Sequence, residues 1–344
     1  MSRTRLREAT EPTAPSADAS ARGVVAILIP CYNEEKTVAR VVESFRAELP
    51  DARVYVFDNN STDRTVEEAR RAGALVFHEP RRGKGFVVQS MFRIVDADFY
   101  VMVDGDDTYP APAVHRLLAP VASGDADMAV GSRLHAESRS QFKQLNRAGN
   151  RLVRATLNFF FRVRMTDILS GYRAFNRRFV KGLPLFGGGF EIETELTIKS
   201  VSRGFRLVEV PVDLVPRPDG SHSKIRLMRD GFLILNTTLA LFRDYKPLTF
   251  FGSVGLFLAL LALVPGALAA VGFAGAGVSA RAAFAFVALA LFMCGLLSVT
   301  AGLILHSIAR RSQEAEYHLG VLADELRAGL GRREARDVDE GDRL

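Results

Sequence analysis

The stretches VFDNNSTDRT (56–65) and FYVMVDGDDTYP (99–110) decide the fold of this chain. Each begins with the apolar, β-branched and aromatic residues that are typical of a buried strand, and each places carboxylates near the end of that strand. In an open α/β sheet, ligands bind outside the carboxyl ends of the parallel strands. The two stretches therefore predict an α/β fold whose ligand site lies at one edge of the sheet.

Asp104 and Asp106 flank Gly105, and this turn is typical of a site for a divalent cation. Glycine lets the backbone approach a ligand closely, and two carboxylates offer the hard oxygen ligands that Mg²⁺ prefers when it bridges to phosphate. An Asp-rich turn can also cap a helix or lie in solvent, and one such turn alone leaves that alternative open. A second acidic strand end, at Asp58, favours a nucleotide and metal site.

The composition indicates a soluble domain joined to membrane segments. Of the 344 residues, 48% are hydrophobic and 24% are charged. This is too apolar for an ordinary soluble enzyme and too charged for a protein wholly embedded in a bilayer. The net charge is +6, but the sequence lacks zinc-ligand spacing and RNA-binding signatures, so we expect lipid headgroups and phosphates as partners and no nucleic acid. Only two cysteines occur, so no disulfide framework is expected.

Strand and helix patterns alternate from Val24 to about Val215. The patterns predict strands at 23–30, 53–58 and 74–79, and helices at 34–49 and 61–73. Repeated strand–helix–strand units join parallel strands by right-handed crossovers, which predicts a mostly parallel sheet. Residues 1–22 lack periodicity and the apolar centre of a signal peptide, so we expect a disordered tail there.

Two long apolar segments lie near the end of the chain. Residues 248–271 and 282–309 contain no charged side chain, and each is longer than the roughly 20 residues that cross a bilayer core as a helix. A short Gly-rich link joins them, so we expect a transmembrane hairpin over 247–311 rather than a pair of buried core helices. Basic residues flank its outer ends, at Arg243, Lys246, Arg310 and Arg311. By the positive-inside rule, the large domain then faces the cytoplasm from the cytoplasmic membrane.

The segments on either side of the hairpin differ in pattern. Before it, apolar residues recur at steps of four and three, at Met228, Phe232, Leu235, Leu239 and Phe242. Arginines border this face, which predicts an amphipathic juxtamembrane helix at 225–246 under the lipid headgroups, with a core-facing helix as the alternative. After the hairpin, residues 312–344 form a polar cytoplasmic tail to which we assign no chemistry.

Two further motifs have the composition of a substrate site. IPCYNEE (29–35) places aromatic and acidic groups at the end of the first strand, where a base and ribose could be held, although these residues could also cap the next helix. RRGKGF (81–86) combines three cations with two glycines. This suits a loop that lies against the anionic part of a substrate, and a solvated basic turn is the alternative.

The order of the motifs resembles the family 2 glycosyltransferases, in particular the polyprenyl-phosphate glycosyltransferases that include dolichyl-phosphate mannose synthase. The motifs are IPCYNEE, DNNSTD, GKG, DGDDTYP, GSR and TDILSGYRAF. The resemblance implies a GT-A catalytic domain over residues 23–224, and the hairpin is similar to that of bacterial, membrane-anchored members. Five or more motifs in the same order are far more specific than any one of them.

The resemblance also assigns roles to individual residues. It implies that the nucleotide sugar is held by Pro30, Tyr32, Glu34, Asp58, Lys84, Asp104, Gly105, Asp106, Arg217 and Lys224. Asp104 and Asp106 would carry Mg²⁺ or Mn²⁺ on the donor diphosphate. The phosphate of the acceptor lipid would be bound by Arg133, Arg147 and Asn150. Arg217 and Lys224 belong to RPDGSHSK (217–224), which looks like the family's mobile loop over the donor diphosphate.

Asp167, in TDILSGYR (166–173), matches a residue that the family requires for activity. We expect it to be the catalytic carboxylate, which orients the acceptor or acts as a weak base; a structural cap of the SGYR turn is the alternative. A polyprenyl phosphate is already an anion at neutral pH and can attack without a strong base. Glu191 and Glu193, in GFEIETEL (189–196), are secondary candidates, which would share one face of a strand but not of a helix.

One position departs from the family's pattern. Many relatives have a second acid after the residue that matches Asp58, whereas this chain has Asn59, so the base or sugar preference is open. A processive polysaccharide synthase would usually carry a QxxRW motif, and the chain contains no Trp. A non-catalytic membrane scaffold is disfavoured because the candidate catalytic residues are present.

The resemblance implies inverting transfer of a hexose from a nucleotide sugar to polyprenyl phosphate, such as undecaprenyl phosphate. A UDP-hexose such as UDP-glucose is favoured, and GDP-mannose is the alternative. The product would be a lipid-linked sugar donor for cell-envelope glycans or glycoproteins. The lipid length and the oligomeric state are open, with a homo-oligomer as one alternative.

Overall fold

The computed structural model describes residues 23–133, 165–189, 191–215, 227–271 and 278–341. The chain divides into two compact units, an α/β unit that ends at Leu239 and a helical unit that begins at Ala240. The tail that we predict over 1–22 lies outside the described residues.

A seven-stranded sheet forms the centre of the α/β unit. Its strands are β1 (Val25–Cys31), β2 (Arg53–Asp58), β3 (Leu75–His78), β4 (Phe99–Met102), β5 (Met128–Ser132), β6 (Arg173–Asn176) and β7 (Leu207–Pro211). The strand order is β3-β2-β1-β4-β6-β5-β7. β6 runs antiparallel to β4 and β5, and the other neighbours are parallel. The prediction of a mostly parallel sheet is confirmed, and β6 is the exception to it.

The helices of this unit follow the strands in alternation. They are α1 (Val38–Glu48), α2 (Thr65–Arg71), α3 (Lys84–Ile94), α4 (Val114–Ala122), α5 (Arg177–Gly182), α6 (Ile192–Ser202) and α7 (Leu227–Tyr245), which continues into the helical unit. α1 and α2 begin about four residues later than the sequence pattern predicts. The residues that precede the two helices are joined to each other instead: the Glu34 amide donates to the Thr65 hydroxyl at 2.8 Å, and the Arg64 amide donates to the Glu35 carboxylate at 3.1 Å.

The apolar spacing of α1 explains its packing on the sheet. Val38, Val41, Val42 and Phe45 recur at i, i+3, i+4 and i+7, and all four are buried. They share a core cluster with residues of β1 and β2. A one-sided apolar stripe of this kind is what turns a helix face towards a sheet.

The helical unit contains α8 (Pro247–Val271) and α9 (Val278–Gly341). Both are long and apolar enough to cross a membrane, α8 over its full length and α9 over Val278–Ser312. Only 11% and 6% of their most apolar stretches are buried, unlike the core helix of a soluble protein. α9 continues as a helix through the polar segment that follows, where the sequence predicted a polar tail with partial helicity as one alternative.

Small residues bring α8 and α9 into close contact. A Cβ atom on Gly255 would lie 2.6 Å from Cγ2 of Val299 and 2.7 Å from the carbonyl oxygen of Gly295. The Ser298 hydroxyl donates a hydrogen bond to the carbonyl of Phe251 at 2.9 Å. Close backbone approach and hydrogen bonds between helices are the usual means by which helices associate in lipid.

Candidate active site

The carboxyl ends of β1, β2 and β4 meet at one edge of the sheet. Cys31 at the end of β1 pairs with Asp58 at the end of β2, and Asp104 follows β4 by two residues. Asp58 is buried, its carboxylate accepts from the Ser61 amide at 3.2 Å, and it lies 3.1 Å from Nδ1 of His78. Acidic groups from the ends of two strands, β2 and β4, therefore lie at the edge where the sequence predicted a ligand site.

The residues after β1 reach the same edge. Pro30 lies within β1, and Tyr32 and Glu34 follow it, with Tyr32 38% exposed. The Thr37 hydroxyl donates to the carbonyl of Gly105 at 2.7 Å, which ties the turn after β1 to the turn after β4. These predicted nucleotide-binding residues and the DGD turn are therefore neighbours.

The DGD turn is tightly packed. A Cβ atom on Gly105 would lie 2.6 Å from Sγ of Cys31, so only glycine fits there without a shift. Asp106 is buried, and its carboxylate accepts from the Thr108 hydroxyl at 2.6 Å and the Thr108 amide at 3.3 Å. Asp104 is more exposed, with 27% of its side chain accessible. In this turn, the Asp106 carboxylate is fixed by hydrogen bonds to Thr108, whereas the Asp104 carboxylate is accessible.

A divalent cation fits this pair of carboxylates. Within the described ranges, no group of three His, Cys, Asp or Glu side chains could hold a metal by itself. Mg²⁺ does not need such a cage, because it is commonly bound by one or two carboxylates together with waters and substrate phosphates. Asp104 and Asp106 would hold the ion, and a donor diphosphate would complete its coordination.

Lys84 lies between two carboxylates at the start of α3. Its Nζ is 2.5 Å from Oδ1 of Asp104 and 2.7 Å from Oε1 of Glu193. Burial lowers the pKa of Lys84, but the attraction of the two carboxylates outweighs that effect and raises the pKa above its usual value. Glu191 precedes α6 and Glu193 lies in its first turn, so this stretch is helical. Glu193, a secondary candidate from sequence, is therefore part of the site.

A second charged cluster joins Arg133 and Asp167. The guanidinium binds the carboxylate in a bidentate manner, with Nε–Oδ2 at 2.6 Å and an Nη–Oδ1 distance of 3.0 Å. The Arg133 amide also donates to the carboxylate at 3.1 Å. Asp167 is fully buried, and although burial lowers the pKa of Arg133, its attraction to Asp167 raises the pKa overall. The predicted acceptor-binding and catalytic residues are thus direct partners.

Glu209 on β7 holds the backbone behind this pair. Its carboxylate accepts hydrogen bonds from the amides of Thr166 and Asp167 at 2.8–2.9 Å. Burial raises the pKa of Glu209. The sequence analysis did not identify Glu209, because nothing in VEVP distinguishes it from an outward-facing acid on an edge strand.

Tyr109 and Gly171 connect the two charged clusters. The Tyr109 hydroxyl accepts from the Gly171 amide at 3.2 Å, and a Cβ atom on Gly171 would lie 2.5 Å from Oδ2 of Asp104. Burial is the main reason that the pKa of Tyr109 is raised, and Asp104, Arg133 and Asp167 all influence it. Both residues lie within the quoted motifs but were not identified as site residues. They make the two clusters one continuous site.

Arg173 ties the loop that contains Asp167 to α6. It is fully buried and donates to the carbonyls of Ile168 at 2.5 Å, Ser170 at 2.9 Å and Glu193 at 3.1 Å. Burial lowers the pKa of Arg173 to about 10. Its role is structural, because its guanidinium is surrounded by backbone oxygens of the site.

Asn59, the departure from the family's pattern, has a defined place. Its side-chain amide donates to the carbonyls of Glu79 at 3.1 Å and Arg81 at 2.7 Å, and its oxygen accepts from the Gly83 amide at 2.8 Å. A carboxylate could not donate these two hydrogen bonds. Asn59 therefore clamps the loop that leads to Lys84.

Four predicted site residues lie outside the described residues: Arg147, Asn150, Arg217 and Lys224. Their assignment to the acceptor phosphate and the donor diphosphate stays a prediction.

The sheet, its acidic edge and the DGD turn define a GT-A type nucleotide-sugar fold, and comparison with known proteins agrees. Residues 26–183 match glycosyl transferase family 2. Glycosyltransferase AglJ of Haloferax volcanii is 40% identical over 235 residues, which cover 67% of this chain and 76% of that protein. The chain belongs to glycosyl transferase family 2 and is a glycosyltransferase, as the motif order predicted.

Other similar proteins extend the comparison. A dolichyl-phosphate hexose transferase of Haloferax volcanii is 28% identical over 188 residues, which cover 55% of this chain and 81% of that protein. The crystal structure of glucosyl-3-phosphoglycerate synthase from Mycobacterium tuberculosis with Mn²⁺, UDP and phosphoglyceric acid matches with a TM-score of 0.54. That match covers 64% of this chain and 79% of the other at 21% identity, which supports the GT-A fold.

Proposed function

We propose that the protein transfers a hexose from a nucleotide sugar to a polyprenyl phosphate with inversion at the anomeric carbon. The observation that carries the proposal is the proximity of two charged pairs, Asp104 with Lys84 and Asp167 with Arg133. Gly171, in the same loop as Asp167, packs against the Asp104 carboxylate and donates to Tyr109. One cluster has the groups for a donor diphosphate and the other has a cation for an acceptor phosphate. The chain also carries two helices that could cross a membrane, where such an acceptor resides.

The similar proteins support this choice of substrates. One relative is named a dolichyl-phosphate hexose transferase, which supports a lipid phosphate as the acceptor. A protein of similar fold was crystallised with Mn²⁺ and UDP-glucose, which supports a UDP-hexose as the donor and Mg²⁺ or Mn²⁺ as the cation. GDP-mannose is the alternative donor. A non-catalytic scaffold is the alternative from another class of function.

Charge neutralisation of the donor and ionisation of the acceptor together account for the transfer. When bound, the divalent cation supplies positive charge to the donor diphosphate as the nucleoside diphosphate leaves. Lys84 lies beside Asp104, where its ammonium can neutralise the same diphosphate. The acceptor phosphate is already ionised, so its oxygen attacks the anomeric carbon without prior loss of a proton.

Asp167 acts as an orienting carboxylate in this proposal. Both of its oxygens already accept hydrogen bonds from the Arg133 guanidinium, and this geometry suits an orienting group. Asp167 therefore holds Arg133 in position for the acceptor phosphate. Of the roles considered from the sequence, this agrees with orienting the acceptor and not with acting as a weak base. The positive residues that flank the two apolar helices support a cytoplasmic position for the catalytic unit, where nucleotide sugars are available.

The test is the reaction of the purified full-length protein with undecaprenyl phosphate and a panel of nucleotide sugars. We expect a lipid-linked hexose from UDP-glucose or a related UDP-hexose in the presence of Mg²⁺ or Mn²⁺. Product from GDP-mannose alone would establish the alternative donor. Nucleotide binding without product from any donor would support the scaffold instead.

A further inference from the structure

Glu195 and Lys199 form a buried ion pair on α6 that none of the roles above uses. Lys199 Nζ is 2.5 Å from Glu195 Oε1, and the two side chains are only 2% and 3% exposed. Apolar residues of similar volume often stabilise a fold as well as such a pair does, so stability alone does not account for it. Further hydrogen bonds from both side chains go to the glycine loop, residues 184–189, which lies just before α6.

The pair holds the glycine loop from one side. Glu195 accepts from the amides of Phe186 at 2.9 Å and Gly187 at 2.7 Å, one on each carboxylate oxygen. Lys199 donates to the carbonyl of Pro184 at 2.8 Å, and its Nζ lies 4.0 Å from the centre of the Phe186 ring. Charge-assisted hydrogen bonds of this kind are stronger than those between neutral groups, so the loop backbone is well defined.

The other side of the glycine loop packs directly on the GKG stretch. The Gly85 amide donates to the carbonyl of Gly188 at 3.2 Å. A Cβ atom on Gly83 would lie 1.9 Å from the Gly188 oxygen, and one on Gly85 would lie 2.1 Å from the Gly187 oxygen. The two backbones touch with no space for a side chain, so a displacement of the loop must displace Lys84, the residue between the two glycines.

We propose that Glu195 and Lys199 are positioning residues for Lys84 and that they set the affinity for the nucleotide sugar through the glycine loop. The same helix supplies Glu193, which lies 2.7 Å from Lys84 Nζ. α6 therefore holds Lys84 at its backbone, through the loop, and at its ammonium group. This inference rests on the proposed function, because it takes Lys84 to face the donor diphosphate.

The test replaces the pair with apolar residues of similar volume, Glu195→Leu together with Lys199→Met. The helix and the packing should survive because both new residues are good helix formers and no buried charge is left unpaired. We expect amide hydrogen exchange at Gly85 to accelerate, although Gly85 touches neither substituted residue. Titration of UDP in the presence of Mn²⁺ should show a Kd about tenfold higher. The melting temperature should fall by only a few degrees, because the amides of Phe186 and Gly187 lose their acceptor.

A double-mutant cycle with Lys84→Met shows whether the effect passes through Lys84. In the Lys84→Met background, the pair replacement should weaken UDP binding by less than a further twofold. An equal tenfold loss in both backgrounds, or unchanged exchange at Gly85, would overturn the proposal. If the wild-type protein does not bind UDP, the proposed donor is wrong, whereas the exchange at Gly85 still tests the coupling itself.

Asp127→Asn is the matched control. Asp127 is a buried carboxylate that accepts from the Arg206 amide at 2.8 Å, just before β5 and at the opposite edge of the sheet from the site. Loss of this buried charge should leave UDP affinity and exchange at Gly85 unchanged. A similar loss of UDP affinity in this variant would mean that general loosening, rather than the glycine loop, lowers donor binding.

Discussion

The α/β unit and the helical unit differ in how they place charged and apolar side chains. In the α/β unit, charged groups such as Lys84, Arg173 and Lys199 are buried among carboxylates and carbonyl oxygens. In the helical unit, large apolar side chains such as Leu256 and Phe257 are more than 60% exposed. Buried charge is costly in a protein interior, and exposed apolar helices are costly in water. The difference indicates a polar site in one unit and, in the other, helices that could cross a membrane.

The largest effect is expected from removal of the DGD carboxylates. Asp104→Ala or Asp106→Ala removes a hard oxygen ligand, so the rate of lipid-linked hexose formation should fall on the order of a thousandfold. The fold should persist, which circular dichroism can check. Glu68→Ala is the control, because Glu68 lies in a surface pair with Arg71 at 2.8 Å and should have no effect. Full activity in EDTA would contradict the metal role.

Substitutions in the Arg133–Asp167 pair should affect transfer activity and stability by different amounts. Asp167→Asn leaves the Arg133 guanidinium without its carboxylate, which should lower stability by about 3 kcal/mol and the melting temperature by roughly 5–10 °C. Transfer should fall by about a hundredfold or more. Thermal unfolding and turnover of the purified protein measure the two effects.

An apolar replacement of the same pair sharpens the comparison. Arg133→Met together with Asp167→Leu should recover most of the stability, because no buried charge is left unpaired. It should not recover transfer. Recovery of transfer in this double variant would show that the pair is structural, the alternative role considered for Asp167.

Removal of the helical segments should have a smaller effect and only on one substrate. A protein that ends after Lys246 retains all the described site residues, so UDP affinity should stay within about twofold of wild type. Transfer to undecaprenyl phosphate in bilayers should fall roughly tenfold, because a single interfacial helix binds membranes reversibly. A short-chain, water-soluble polyprenyl phosphate should restore most of the rate. Loss of UDP binding would instead mean that the α/β unit depends on α8 and α9.

The smallest expected effect is the pH dependence of stability at Glu79. The hydrogen bond from the Arg81 guanidinium is the main reason that the pKa of Glu79 is lowered from 4.5 to about 2. Because the folded pKa is the lower one, the carboxylate stabilises the fold above about pH 4.5, and this contribution is lost as the pH falls towards 2. Glu79→Gln should therefore melt a few degrees below wild type at pH 7, with a gap that closes in acid. Melting curves that stay equally separated down to pH 2 would contradict this.

The sequence alone predicted the parts of the molecule that depend on local pattern. The apolar runs of β1 and β2, the stripe on α1 and the uncharged spans of α8 and α9 each lie within one continuous segment, so periodicity and length identify them. The DGD turn is similarly local. The order of the motifs was enough to predict the glycosyltransferase family, because several motifs in sequence are much more specific than one.

Only the tertiary structure decided how these parts meet. The antiparallel direction of β6 depends on which strands become its neighbours. Two contacts, Glu193 with Lys84 and Arg133 with Asp167, join residues that are 34 or more positions apart in the chain. The sequence shows that a side chain is charged, but it does not show which oppositely charged side chain will pair with it in the interior. That choice follows from strand order and from glycines: Gly85 lets two backbones come into contact, and Gly171 leaves room for the Asp104 carboxylate.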